Sequence, residues 1–179
     1  WLDWMEFMGP PASSSKKGNE DDEDLSDGEI ERRKSESQDI PVRATIFILC
    51  GIGSVHESAG NDEMALTCYL DAHRIALRRL SHDDADMAIA YSHLGSVCFH
   101  LGRFTTASRC YRVAVSIREH LLGDDHPDCA ASHSSLGASL CMLGPHAMVE
   151  AMYHLKFAAK KSSIWRKKQQ HLRKKWLPF

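Results

Sequence analysis

The sequence predicts an all-α protein in which antiparallel helical hairpins stack as a short superhelical solenoid. Three observations predict this class. Glycine and tyrosine recur together at a spacing of 42 residues, the apolar residues between them follow helical spacing, and an aspartate-rich connector separates the units. No apolar run reaches the roughly 18 residues that a transmembrane helix needs, so no such helix is expected.

The repeat is visible when the segments that begin at Cys50, Ser92 and Ser134 are placed beneath one another, because they align without a gap. Three positions are identical in all three units and define the repeat: Gly53, Gly95 and Gly137; Gly60, Gly102 and Gly144; Tyr69, Tyr111 and Tyr153. A further position holds small or branched residues: Ala65, Ala107 and Val149. This agreement in three registers predicts three structural units.

Each unit is predicted to be a hairpin of two helices, and the middle unit shows why. Its first helix should run from about Asp84 to Leu101 and end at Gly102, because glycine tolerates the positive φ that ends a helix. A glycine at position 95 should let the two helices approach closely. The second helix should begin near Thr105 and turn four side chains inward: Ala107, Tyr111, Ala114 and Ile117.

The repeats are expected to occupy residues 44–161, as units of about 45–86, 87–128 and 129–161. Residues 11–43 are predicted to form a disordered acidic arm, because they are rich in Ser, Asp, Glu and Lys and poor in large apolar groups. Burial of so few apolar groups cannot offset the entropy lost on ordering the arm.

The N-terminal segment, residues 1–10, is predicted to be a short amphipathic helix with four side chains on one face: Trp1, Trp4, Met5 and Met8. This face is expected to pack on its own domain or to bind a partner. The first repeat helix, residues 44–59, is apolar on nearly every side and therefore needs cover. The N-terminal helix, further repeats or another protein can supply that cover.

The connector LGDDHPD, residues 122–128, is interpreted as the junction between two units. It supplies a residue that ends a helix, a capping aspartate, a first-turn proline and a first-turn acid: Gly123, Asp124 or Asp125, Pro127 and Asp128. A degenerate copy, LSHDDAD, lies one period earlier at residues 80–86. This copy favours a structural role, because a catalytic loop would not need it.

A metal or catalytic site is the rival interpretation of the same region. His126, Cys129 and His133 contain potential zinc ligands, but no convergent fourth ligand is visible. Phosphate-binding loops, nucleophile elbows and HExxH motifs do not occur, so neither an enzyme nor a cofactor is expected. Six cysteines occur without a CxxC pair, and Cys68 and Cys110 share a repeat position, so reduced core cysteines and a cytoplasmic location are predicted.

The segment AYSHLGSVCFHLGRFTTASRCYRVAVSIREHLLGDDHPD resembles a tetratricopeptide repeat of the 42-residue type found in kinesin light chains. The shared features are Leu-Gly in the first helix, Gly-Arg-Phe at the turn, Ala and Tyr in the second helix, and the Leu-Gly-x-x-His-Pro-Asp connector. The resemblance implies that an Asn in the first helix often contacts bound peptide. This chain has Gly51, His93 and Ser135 at that position.

The resemblance implies a non-catalytic scaffold or adaptor that binds proteins or peptides, in a cytoplasmic, microtubule, motor or ciliary setting. The alternative is a structural subunit permanently buried in a large cytoskeletal assembly. Neither a small-molecule substrate nor nucleic acid is expected as a partner. The expected binding surface is concave and contains five polar residues: His93, Ser96, Arg103, Ser135 and Ser139.

The C-terminal segment, residues 162–179, is predicted to be a basic amphipathic helix or tail. Its candidate contact residues are Trp165, Arg166, Lys167, Lys168, Leu172, Arg173 and Trp176. The tail is interpreted as a cap on the last unit or as a helix that meets the acidic arm. As a binding element for an acidic partner, it would be a calmodulin-like target, a contact for an anionic surface such as tubulin tails or acidic lipids, or, least favoured, a nucleic-acid contact. Ser26, which precedes acidic residues, is a candidate phosphorylation site in that arm.

Overall fold

The computed structural model describes residues 27–176, and side chains within residues 41–171. The described residues form α-helices and one 3-10 turn, with no strand among them, which confirms the all-α prediction. The helices are α1 (Asp27–Ser58), α2 (Asp62–Arg79), α3 (Ala85–His100), α4 (Phe104–Leu122), α5 (Pro127–Cys141) and α6 (Met148–Trp176), and the 3-10 turn is Pro145–Ala147.

The N-terminal predictions are only partly covered by the described residues. Helix α1 begins at Asp27, so residues 27–43 of the arm are helical in the structure rather than disordered. The predicted helix at residues 1–10 and the candidate phosphorylation site Ser26 lie outside the described part of the chain.

Consecutive helices pack against one another from α2 to α6, and Tyr69 of α2 packs against Gly53 of α1, as stacked hairpins require. One buried cluster contains side chains of α1 to α4, and a second contains side chains of α3 to α6. Arg43 of α1 also pairs with Asp84 and Asp86 at the start of α3, at 2.6 and 2.5 Å. Each hairpin therefore shares core with the next one.

The middle hairpin follows the sequence prediction closely. Helix α3 ends just before Gly102, which has a φ of +72°. The four side chains predicted to point inward are all buried: Ala107, Tyr111, Ala114 and Ile117. Gly95 lies against Tyr111, because a Cβ at this glycine would be 2.8 Å from the tyrosine ring. The glycine thus provides the space in which the aromatic ring sits.

The third hairpin departs from the gapless alignment. A Cβ at Gly137 would lie 2.7 Å from Leu155, while Tyr153 is 62% exposed. Ala151 is fully buried, in place of the exposed Val149. The 3-10 turn lengthens the connection, so that α6 begins two residues later relative to α5 than α4 does relative to α3. The residues that pack inward in α6 are displaced by the same two positions.

The connector is a structural junction, with one change in the predicted cap. Gly123 ends α4 with a φ of +75°, and Pro127 opens α5. His126, rather than Asp124 or Asp125, caps α5 by accepting a hydrogen bond from the Asp128 backbone N–H at 3.2 Å. The reason is position, because an N-cap must directly precede the first helical residue. Asp84 caps α3 in the same way, at the equivalent position one period earlier.

Candidate functional site

The first helices of the second and third hairpins carry four of the predicted binding residues, Arg103 lies in the turn before α4, and Glu57 of α1 joins the first helix of the first hairpin to that of the second. The Ser96 hydroxyl of α3 donates to Glu57 Oε1 of α1 at 2.5 Å. The Tyr69 hydroxyl of α2 donates to Glu57 Oε2 at 2.7 Å. We call the region formed by Glu57, His93, Ser96, His100 and Ser135 the first-helix surface.

Glu57 was not predicted as a site residue, although the sequence contains a signal that could have identified it. It is the only carboxylate in the aligned first-helix segments that begin at Cys50, Ser92 and Ser134, and it lies three residues before Gly60. Its equivalents in the other units are Phe99 and Cys141. An acid that appears in a single repeat at a mostly apolar position suggests a local polar partner.

The turn between α1 and α2 gives this end of the first-helix surface an acidic character. His100 Nδ1 lies 3.2 Å from Glu57 Oε1 and 3.8 Å from Asp62 Oδ1. Arg103, predicted to lie at the turn, is exposed and 3.5 Å from Glu63. Three carboxylates therefore meet one arginine and one histidine, so negative charge is in excess at this end.

His93 occupies the position that the family resemblance associates with a peptide-binding Asn. Its ring stacks on Tyr69, with centroids 4.8 Å apart and an interplanar angle of 18°. Burial is the largest influence on His93 and lowers its pKa. A neutral ring stacked between two hairpins has a packing role that an Asn side chain would not provide.

Tyr111 extends the polar contacts from the second hairpin to the third. Burial raises the pKa of Tyr111 to about 12, and hydrogen bonding with Ser96 and Ser135 opposes that rise. Ser139 does not belong to this surface, because it is fully buried and donates to the Ser135 carbonyl at 3.0 Å. It lies instead on the side of α5 that faces the preceding hairpin, as its equivalent Val97 does on α3.

The potential metal ligands near the connector have separate structural roles. Cys129 Sγ lies 3.2 Å from the Gly123 carbonyl oxygen, and His126 is the cap of α5. His133 Nε2 lies 2.9 Å from Glu119 Oε1, and its Nδ1 lies 2.7 Å from His154 Nδ1. Among the described side chains, no group of three or more His, Cys, Asp or Glu can hold a metal ion.

The basic tail is a continuation of α6. Residues 162–171 are exposed, including Trp165, Arg166, Lys167 and Lys168. The side chains of three further candidates lie outside the described side chains: Leu172, Arg173 and Trp176. Lys161, just before the tail, pairs with Asp125 of the connector at 2.7 Å.

None of the helices in the described residues is long and apolar enough to span a membrane. No curated protein matches the chain. A model described as tetratricopeptide repeat matches residues 43–119 and 86–153, which together cover more than half of the chain. The matched residues are those that form the stacked hairpins, and the chain belongs to the tetratricopeptide repeat family.

Proposed function

We propose that the first-helix surface binds a segment of a partner protein. Tetratricopeptide repeats bind proteins or peptides and are generally non-catalytic, so this chain is a protein-interaction scaffold. One observation supports the location most directly. Side chains from consecutive hairpins converge there, because Ser96 of the second hairpin and Tyr69 of the first both hydrogen-bond to Glu57.

The chemistry of this surface favours a partner segment with a basic residue. Glu57, Asp62 and Glu63 lie at its first-hairpin end, and Arg103 lies 3.5 Å from Glu63. A lysine or arginine of the partner would gain Coulomb energy at this end, and exposed pairs of this kind contribute about 0.2–1 kcal/mol each. The third-hairpin end, around Ser135, offers small neutral contacts instead.

Binding at this surface can be tested by partner capture with the full chain. Proteins bound to the wild type are identified, and the affinity of the strongest partner is measured for the double substitution Ser96→Ala with His100→Ala. Arg109→Ala is the matched control, because Arg109 is an exposed side chain of α4, outside the surface. Loss of binding in the double variant alone supports the site. Equal binding by all three proteins would overturn it.

The resemblance to kinesin light chain repeats supports a cytoplasmic, cytoskeletal setting for this scaffold, at a microtubule, a motor or a cilium. In such a setting, the exposed basic residues Arg166, Lys167 and Lys168 would serve as a contact for an acidic partner. Sedimentation with microtubules tests this, by comparing the full chain with a chain that ends at Lys161. Sedimentation that requires the tail supports the proposal, and no sedimentation of either protein argues against a microtubule partner.

A second candidate function is a subunit held permanently inside a larger assembly. A specific observation favours it: large apolar side chains of α1 are exposed, with Phe47 79% and Val55 70% accessible. Apolar patches of this kind mark interaction sites. An assembly subunit is expected to aggregate irreversibly when isolated, whereas an adaptor is expected to stay in solution and to associate at most reversibly.

A further inference from the structure

The helix α1 exposes a face that is buried in the other first helices. We call Ile48, Ile52 and Val55 the leading face; these side chains are 57%, 45% and 70% exposed. The equivalent residues of the later units are all buried to 2% exposure or less: Ala90, Leu94 and Val97 in α3, and Ser132, Leu136 and Ser139 in α5. This face of the first helix is thus buried in the second and third hairpins and exposed in the first.

Inside the stack, this face is covered by the second helix of the preceding hairpin. His73 of α2 packs on Tyr91 of α3, with ring centroids 4.6 Å apart. Arg118 of α4 hydrogen-bonds to Ser132, which is the α5 equivalent of Ile48. The leading face is therefore one half of a junction whose other half is a second helix of a repeat.

The last helix of the same chain exposes that other half. With the displacement of two residues in the third hairpin, Met152 and Ala159 of α6 correspond to Ser108 and Val115 of α4. Ser108 and Val115 are buried, whereas Met152 is 45% exposed and Ala159 is also exposed. We call Met152 and Ala159 the trailing face.

We propose that the chain self-associates head to tail, with the trailing face of one copy against the leading face of the next copy. This arrangement repeats between two chains the junction that already joins the hairpins within one chain. Both the leading face and the trailing face would then be buried, in a contact of the type that already occurs between hairpins. The inference is independent of partner binding at the first-helix surface.

The distribution of charge in the sequence favours the same arrangement. Residues 1–44 contain six basic and twelve acidic side chains, and residues 156–179 contain nine basic and no acidic ones. The opposite net charges of these two segments of the sequence favour a contact between unlike ends of two copies. A contact between equal ends would bring like charges together.

The size of the contact sets the expected strength. A single helix-to-helix junction buries less than the roughly 800 Å² per partner of a standard stable interface, so association should be reversible and depend on concentration. A head-to-tail contact does not close after two copies unless the rotation permits a ring, so species larger than a dimer should appear as concentration rises.

Sedimentation velocity of the full chain over a range of concentrations tests this proposal. Val55→Glu places a charge on the leading face, and Met152→Glu places one on the trailing face. Each substitution is expected to weaken association by about tenfold or more, because the carboxylate would be buried without a partner. Both side chains are exposed in the single chain, so both variants should fold with wild-type helicity by circular dichroism.

Mixing the two variants gives the decisive measurement. The Val55→Glu chain keeps an intact trailing face, and the Met152→Glu chain keeps an intact leading face. The proposal therefore expects mixed dimers that do not grow further, although each variant alone is a monomer. The control Val113→Glu, at a half-exposed site on α4 outside both faces, should assemble like the wild type.

Three results would overturn head-to-tail association. The first is a wild-type chain that stays monomeric at the highest concentration tested. The second is a Met152→Glu chain that still forms dimers while Val55→Glu does not, since this identifies a contact between two α1 helices. The third is wild-type assembly by both variants.

Discussion

Each first helix has a glycine at the same repeat position, but the side chain that packs against it differs between the first two hairpins and the third. Tyr69 lies on Gly53 and Tyr111 lies on Gly95, whereas Leu155 lies on Gly137. Leucine fills the space between the helices but has no polar end.

The difference explains where the first-helix surface acquires its polar contacts. The Tyr69 hydroxyl donates to Glu57, and Tyr111 lies near Ser96 and Ser135. The third hairpin provides no equivalent hydroxyl, because Tyr153 points away from the junction and is exposed. Its polar groups are found between helices instead, where His133 contacts both Glu119 and His154.

The largest expected effect comes from removing the side chain that packs against the glycine. Tyr69→Ala should lower the free energy of unfolding by about 3–5 kcal/mol, because the ring is fully buried. Leu155→Ala should cost about 2 kcal/mol, since this side chain is half-buried. Tyr153→Ala should change the free energy by less than about 0.5 kcal/mol. Urea unfolding measures all three. A larger cost for Tyr153→Ala than for Leu155→Ala would indicate that Tyr153 packs against Gly137, as the gapless alignment predicts.

Adding a methyl group to the glycine sharpens the comparison. Gly95→Ala should destabilise the protein by about 1–3 kcal/mol, because the new Cβ would lie 2.8 Å from a rigid ring. Gly137→Ala should have a smaller effect, since Leu155 can change rotamer, although the Ala151 backbone oxygen would lie 3.2 Å from the new Cβ; the gain of about 1 kcal/mol in helix propensity applies to both variants. Thermal unfolding compares the two variants. Equal costs would show that the flexibility of the neighbour does not matter.

Two buried histidines should make the free energy of unfolding depend on pH. Burial lowers the pKa of His73, between the first two hairpins, to about 4. Burial also lowers the pKa of His154 in the third. The unfolded chain then binds more protons below about pH 6.5, so stability is complete above that pH and falls as the pH decreases towards 4. His73 alone should cost about 1–2 kcal/mol at pH 5.5.

The control for this effect is His73→Phe, which removes the titrating group and keeps an aromatic ring. Its unfolding free energy should depend less on pH between 6.5 and 4 than that of the wild type. An unchanged slope would assign the pH dependence to other groups, with His154 as the next to substitute.

The smallest expected effect concerns the tail. A chain that ends at Lys161 should differ from the full chain by less than about 0.5 kcal/mol in unfolding free energy, because residues 162–171 are exposed. Urea unfolding of the two chains gives the difference. A loss of more than about 1 kcal/mol would identify the tail as a cap of the last hairpin.

Much of the fold could be predicted from the sequence, and the exceptions have local causes. The period of glycine and tyrosine predicted the hairpins, and Gly102 ends α3 as expected. The residues of the candidate site were predicted less completely, and their binding role stays a prediction. His93, Ser96 and Ser135 lie on the first-helix surface, but Ser139 is buried and Glu57 was missed. A serine is equally compatible with a surface and with a buried hydrogen bond to a carbonyl, so its residue type does not decide between them.

The sequence by itself determined that, in each hairpin, a small residue of the first helix packs against a larger residue of the second. That requirement is local and recurs with the repeat. Tertiary structure decided which residue fills the third position. The longer turn before α6 displaced the helix by two residues, so Leu155 packed inward and Tyr153 outward. Tertiary structure also decided that Ile52 is exposed while its equivalents Leu94 and Leu136 are buried. The physical reason is that burial depends on a neighbouring helix, and neighbours differ between the middle and the ends of a stack.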